Sequence, residues 1–120
     1  MRKIKFRTWN KVDKTMYNNA INNCKDNFDM VLKHPQIYEV MQYIGLKDNE
    51  GVEIYDEDII EFYEGDILVK GEIEWLQEEC RFIVRVPSET EQHYAGLYGD
   101  EKLSCIVIGN MYENKGLLEI

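Results

Sequence analysis

The sequence predicts a mostly-β fold, a small antiparallel barrel or sandwich with one or two short helical turns. Three observations lead there. Apolar residues alternate with polar ones in "KIKFRTW", "ILVKGEIEW" and "RFIVRV", the period of strands with one face on a core. Turn formers separate these runs, as in "NKVDK", "GLKDNEG" and "EGD". Many short strands joined by turns close most readily as one antiparallel unit.

The elements follow in order. In "RKIKFRTW", Ile4 and Phe6 fall on one side and Lys3, Lys5, Arg7 and Trp9 on the other, which reads as an edge strand guarded by its lysines. "TMYNN" is the returning strand of a hairpin across "NKVDK". Residues 20–35 are rich in Asn and Asp and favour loops, although "FDMVLK" suits a short strand or a helical turn, and Pro35 discourages helix at His34. "QIYEVMQYI" is assigned as strand for its β-branched and aromatic content.

Gly45, Asp48, Asn49 and Gly51 then make a compact loop. "DIIEFYEGDILVKGEIEW" is a hairpin, with Ile67, Val69, Gly71, Ile73 and Trp75 on its inner face. "RFIVRV" adds a third strand with Phe82, Val84 and Val86 inward. Residues 87–102 read as a long loop. "LSCIVIG" is a last strand, and Asn110 or Asn114 caps a short turn beyond it.

Length and composition set bounds on function. A chain of 120 residues suits a single domain, residues 1–120, burying roughly 65% of its unfolded surface. No apolar run approaches the 18 or so residues of a membrane span, and "MRKIKFRTWN" lacks the apolar stretch of a signal peptide. The expectation is a cytoplasmic protein with no membrane partner. Cys24, Cys80 and Cys105 stand far apart, and His34 and His93 complete no ligand pattern, so neither a disulfide framework nor a metal site is expected.

Charge is unevenly placed around a formal net of -9. Arg2, Lys3, Lys5, Arg7, Lys11 and Lys14 face only Asp13 in the first 15 residues, whereas Asp48 to Glu79 holds 13 acidic residues against Lys70 alone. Such a field repels a phosphate backbone and argues against direct duplex binding by that face.

Catalytic patterns fail on chemistry. Placing Gly51 at the sixth position of an EF-hand loop puts Leu46 first, where an oxygen ligand is needed. Asp56, Glu57 and Asp58 alternate across a strand and cannot converge on one substrate. Glu78 and Glu79 disfavour a thiolate at Cys80, and Ser88 and Ser104 have no neighbouring His signature. No phosphate-binding glycine loop is present. No catalytic residue, metal or cofactor is therefore assigned.

Four stretches carry a family resemblance: "MRKIKFRTWN", "MQYIGLKDNEGVEIYDEDII", "GEIEW" and "IGNMYENKGLLE". They resemble the YopX family of small phage and prophage proteins, whose start reads K-I-K-F-R-x-W-D, middle M-Q-Y-T-G-L-x-D-x-x-G-x-x-I-Y-E-G-D-I and end I-G-N-I-Y-E-N-P-E-L-L. Asn10 replaces an aspartate, Ile44 a threonine, "YDED" the Y-E-G-D and "NKGLL" the N-P-E-L-L. Glu57 stands where that pattern has glycine, which challenges a tight turn before Asp58. The resemblance implies a mostly-β fold and a mobile-element origin, and brings no reaction.

The expected function is a non-catalytic protein-interaction module, with a protein partner or self-association. Eight tyrosines and two tryptophans suit protein contacts, although core and barrel-end packing is the simpler use of most of them. Arg7, Trp9, Tyr43, Tyr55, Asp58 and Trp75 are the candidate contact residues, while the carboxylates of the middle are taken as a solvated surface. A nucleic-acid-associated role, through the basic strand or by an acidic DNA mimic, stands second. A metal-dependent enzyme stands last.

Overall fold

A computed structural model describes residues 3–18, 31–87, 93–96 and 102–118. It separates into two compact units, Met1–Tyr43 and Ile44–Ile120. Strand dominates the described residues, as expected.

In the first unit, β1 (Phe6–Asn10) and β2 (Thr15–Asn18) form an antiparallel hairpin from Arg7↔Asn18 to Asn10↔Thr15. The Asn10 side chain shapes its turn, Oδ1 accepting the N–H groups of Val12 at 2.8 Å and Asp13 at 3.1 Å. β3 (Tyr38–Lys47) pairs with the other side of β1, from Phe6↔Gln42 to Asn10↔Tyr38. β1 is thus an interior strand, not the expected edge. Arg7, Thr8 and Trp9 are all buried, and since consecutive residues point to opposite faces, both faces of β1 are covered. Residues 31–33 are helical, one of the two outcomes open for "FDMVLK"; the residues before them lie outside the described set.

The second unit takes over within β3, whose Gly45 adopts a φ of 94° inside the strand rather than opening a loop. β4 (Glu53–Tyr55) neighbours β3, in the order β2-β1-β3-β4. The second sheet has the order β8-β7-β6-β5-β9. Its strands are β5 (Asp58–Glu64), β6 (Ile67–Leu76), β7 (Arg81–Val86), β8 (His93–Gly96) and β9 (Ile106–Asn110). All its ladders are antiparallel, and the β5–β9 register slips between Ile59 and Ile60. β8 falls inside the 87–102 stretch expected to be loop; its pairing with β7, from Ile83↔Gly96 to Val86↔His93, stabilises a segment whose own composition argues for a turn.

Ile54, Ile60, Ile73, Val84, Val86 and Cys105 form the buried core of this unit, with Phe62, Val69, Phe82 and Val107 packed against it. Each fully buried isoleucine contributes about 1.5–3 kcal/mol. The inward assignment of Phe82, Val84 and Val86 stands, but Ile67 and Trp75 at the two ends of β6 are exposed. β6 has ten residues and outruns the core at both ends.

Gly71 permits the close approach of β6 to β7. A Cβ there would collide with Cγ1 of Val84 and sit 3.1 Å from the Arg85 carbonyl oxygen. Gly71→Ala is expected to lower stability by about 1–3 kcal/mol through overpacking, as read from the midpoint of urea unfolding; an unchanged midpoint would show that the strands have room to part.

Candidate interaction surface

The carboxylates of the middle divide into those that build and those that face solvent. Asp48 is fully buried. Its Oδ1 accepts the N–H groups of Glu50 and Val52, both at 2.9 Å, and its Oδ2 accepts that of Val107 at 2.9 Å. A charged acceptor shared by three backbone donors closes the loop 48–52 and ties it to β9. The expected loop is real, but the expectation that its acids are all surface is corrected. Standing one residue after β3, the carboxylate satisfies two loop donors that lie outside any strand, at Glu50 and Val52, and one in β9.

Asp58 is the second buried carboxylate, and its Oδ2 accepts the Tyr55 N–H at 2.8 Å across the turn from β4 to β5. The turn survives without the glycine of the family pattern. Glu57 takes a left-handed φ of 69°, a conformation costing a non-glycine residue roughly 1–2 kcal/mol. Its N–H bonds the Ile73 carbonyl at 2.7 Å and its own carbonyl accepts the Met111 N–H at 2.9 Å, so neighbouring strands hold the backbone there.

Beside this turn a cleft of about 230 Å³ is lined by Asp56, Glu57, Glu72, Glu74 and Trp75. Two of these acids are paired with Arg85 of β7, which bonds Glu72 and, at 2.8 Å, Glu74. Burial works against the Arg85 charge, and the paired carboxylates more than offset it, so its pKa is raised. Glu72, buried rather than solvated, owes its position to this arginine. Among the described residues no group of three or more His, Cys, Asp or Glu is placed to hold a metal ion.

The six candidate contact residues fall in both units. In the first unit Arg7, Trp9 and Tyr43 are buried. Arg7 Nε reaches Met41 Sδ at 3.4 Å, and the Lys5 ammonium lies 6.0 Å from the centre of the Tyr43 ring. In the second unit Tyr55 and Asp58 are interior parts of the turn, and Trp75 is exposed. Its ring meets Phe82 edge-on at 5.0 Å and its Nε1–H donates to Gln77 Oε1 at 2.7 Å.

Three exposed apolar residues stand together in sequence and pairing at the end of the β5–β6 hairpin. The β5–β9 ladder stops at Glu61↔Ile106 and the β6–β7 ladder starts at Glu72↔Arg85. Phe62–Glu64 and Ile67–Gly71 are therefore laddered only to each other among the described strands. On this overhang Tyr63 is 69% exposed, Ile67 67% and Leu68 50%. Beside it runs a groove of about 300 Å³ lined by Leu68, Val69, Lys70, Val86, Pro87, Leu117 and Leu118. The sequence held a signal for this surface in the consecutive apolar run Ile67-Leu68-Val69: on a strand, such a run must place an apolar side chain on the polar face.

The family model described as YopX protein matches residues 5–119. No curated protein matches the chain. Among solved structures, the crystal structure of protein EF1440 from Enterococcus faecalis is similar at a TM-score of 0.57, with 22% identity over 99% of this chain and 100% of that one. At that identity the likeness is one of fold.

The buried network makes two measurable differences. Asp48→Asn turns one carboxylate oxygen into an amide that must face N–H donors, and a loss of about 3 kcal/mol is expected in urea unfolding; a loss below 0.5 kcal/mol would contradict the role given to Asp48. Cys105 is held protonated: burial first, then the charges of Asp48 and Asp58, push its thiol up to about 12 from an ordinary 9.0. The folded state thus holds a proton that the unfolded state releases, so this contribution to stability is whole below about pH 9 and is lost as pH rises towards 12. With Cys24 replaced by Ser, a thiol reagent at pH 8 should modify exposed Cys80 at once and Cys105 only on unfolding; two equally fast thiols would contradict it.

Proposed function

The chain belongs to the YopX family, and from that premise we propose that it is a phage or prophage accessory protein working in the host cytoplasm as a non-catalytic protein-interaction module. The observation that supports this reading best is the overhanging hairpin. A two-stranded ribbon is marginal by itself in water, and one that exposes a cross-strand tyrosine and leucine on one face and an isoleucine on the other has the composition of a contact surface. The groove beside it, ending at Leu117 and Leu118, extends the same apolar area.

The chemistry of the acids points the same way. Asp48 and Asp58 spend their oxygens on backbone N–H groups, and Glu72 and Glu74 share Arg85. Carboxylates engaged in this manner shape a fold and are poor proton carriers. No helix among the described residues is long and apolar enough to cross a membrane. A role as an acidic DNA mimic ranks lower, since two of the four acids lining the cleft are paired with Arg85.

The test compares the wild type with Tyr63→Ser/Leu68→Ser, both immobilised and exposed to nuclease-treated host lysate. These solvent-facing changes should leave the melting temperature within about 2 °C, since exposed substitutions stay within roughly 0.5 kcal/mol. Proteins retained by the wild type are expected to fall at least tenfold on the variant. Equal recovery on both would remove the hairpin as the contact surface.

A further inference from the structure

The groove beside the overhang follows an open strand edge. Leu68 and Lys70 line it from one face of β6 and Val69 from the other, and consecutive residues of a strand meet one groove only along the strand's edge. The turn of the hairpin fixes which backbone groups point there. Gly65, with a φ of 63°, opens a two-residue turn closed by Glu64↔Ile67, and such a turn hydrogen-bonds its closing pair. Bonded pairs then alternate along the ladder, at Phe62↔Val69 and Ile60↔Gly71. The N–H and C=O groups of Leu68 and Lys70 thus turn away from β5, roughly 7 Å apart, towards the side that β7 occupies from Glu72 onwards. Continuing the β6–β7 register past Glu72↔Arg85 sets Pro87 opposite Lys70, and proline has no N–H to give. Among the described residues no hydrogen bond reaches these outward groups.

We propose that this edge takes up an extended, apolar peptide segment of a partner protein as an added strand in line with β7. The segment's backbone bonds Leu68 and Lys70, and its alternate side chains enter the groove against Val86, Leu117 and Leu118. Main-chain bonds give such a contact its affinity and the pockets its selectivity. Continuity selects the extended form: β6 already carries a partner strand up to Glu72, and the open edge prolongs that ladder. Charge selects the apolar composition. Lys70 is the one charged residue lining the groove, and it already stands opposite Glu61 in the β5 ladder, so a charged segment finds no counter-charge to spare there. The inference rests on the interaction-module reading and names what the partner presents.

Selection of a random displayed peptide library on the full chain tests it. Selected peptides are expected to carry apolar residues at alternate positions and to slow amide exchange at Leu68 and Lys70 at least tenfold. N-methylating the peptide's central amides keeps its side chains and removes its donors, and should weaken binding at least tenfold. Leu118→Glu, which puts a charge in the groove, should do the same, as should Lys70→Pro, which removes an outward N–H and no bond to β5; melting curves check that both fold, and the methylated peptide decides the matter where a variant does not. A library without binders, or binders indifferent to N-methylation and to Leu118→Glu, overturns the proposal. The two readings fail separately. Lysate proteins lost by Tyr63→Ser/Leu68→Ser but kept by Leu118→Glu remove the added strand and leave the interaction module standing, whereas recovery equal to the wild type on every variant removes both.

Discussion

The second unit depends on one buried carboxylate. Asp48 ends the strand β3, and its two oxygens gather N–H groups from Glu50, Val52 and Val107. Without it, the loop would bury donors that no strand can reach, each costing about 1–3 kcal/mol. The same loop is fixed by the bonds from Asp48 N–H to the Val52 carbonyl and from Asn49 N–H to that of Cys105. β9, anchored through Val107, lies against β5, and β5 carries the hairpin whose far end is exposed. A charge hidden at one end of the sheet thereby helps to fix the strand that presents an apolar surface at the other.

A second buried carboxylate repeats the device at a sharper bend. Asp58 holds the turn that Glu57 makes in a conformation suited to glycine. The replacement is tolerated because the Glu57 backbone is bonded on both sides, to Ile73 and to Met111. Asn110 works alike at the end of β9, its Oδ1 accepting from Tyr112 and Glu113. With Asn10 at the end of β1, side-chain oxygens thus shape strand ends at four places among the described residues, which explains how so many short elements fit into so few residues.

Periodicity made strands legible, because a half-buried strand needs alternation, and the sequences of β6 and β7 have it. Pairing partners were not legible. The lysines of "RKIKFRTW" look like an edge, yet β3 returns from about thirty residues away to make β1 interior, a long-range event that local pattern does not encode. β8 escaped for the same reason, its ladder lying in β7 rather than in its own sequence. The acids were misjudged as a group because composition counts charges without saying which ones find donors. The aromatic residues chosen as contacts were mostly core. The exposed set, Tyr63, Ile67 and Leu68, was visible only as an apolar run too long for one face.

Buried carboxylates hold the frame, while the hairpin tip beyond the core-packed Phe62 and Val69 stands outside the ladders of β7 and β9. Residue-resolved amide hydrogen exchange at low protein concentration tests this most directly. The account predicts that Glu50, Val52, Tyr55 and Val107, whose N–H groups bond Asp48 or Asp58, exchange only with global unfolding, while the laddered amides of the overhang beyond Glu61 and Lys70 exchange through local opening at far lower cost. Fast exchange at the four carboxylate-bonded amides, or protection of the overhang equal to theirs, would contradict it.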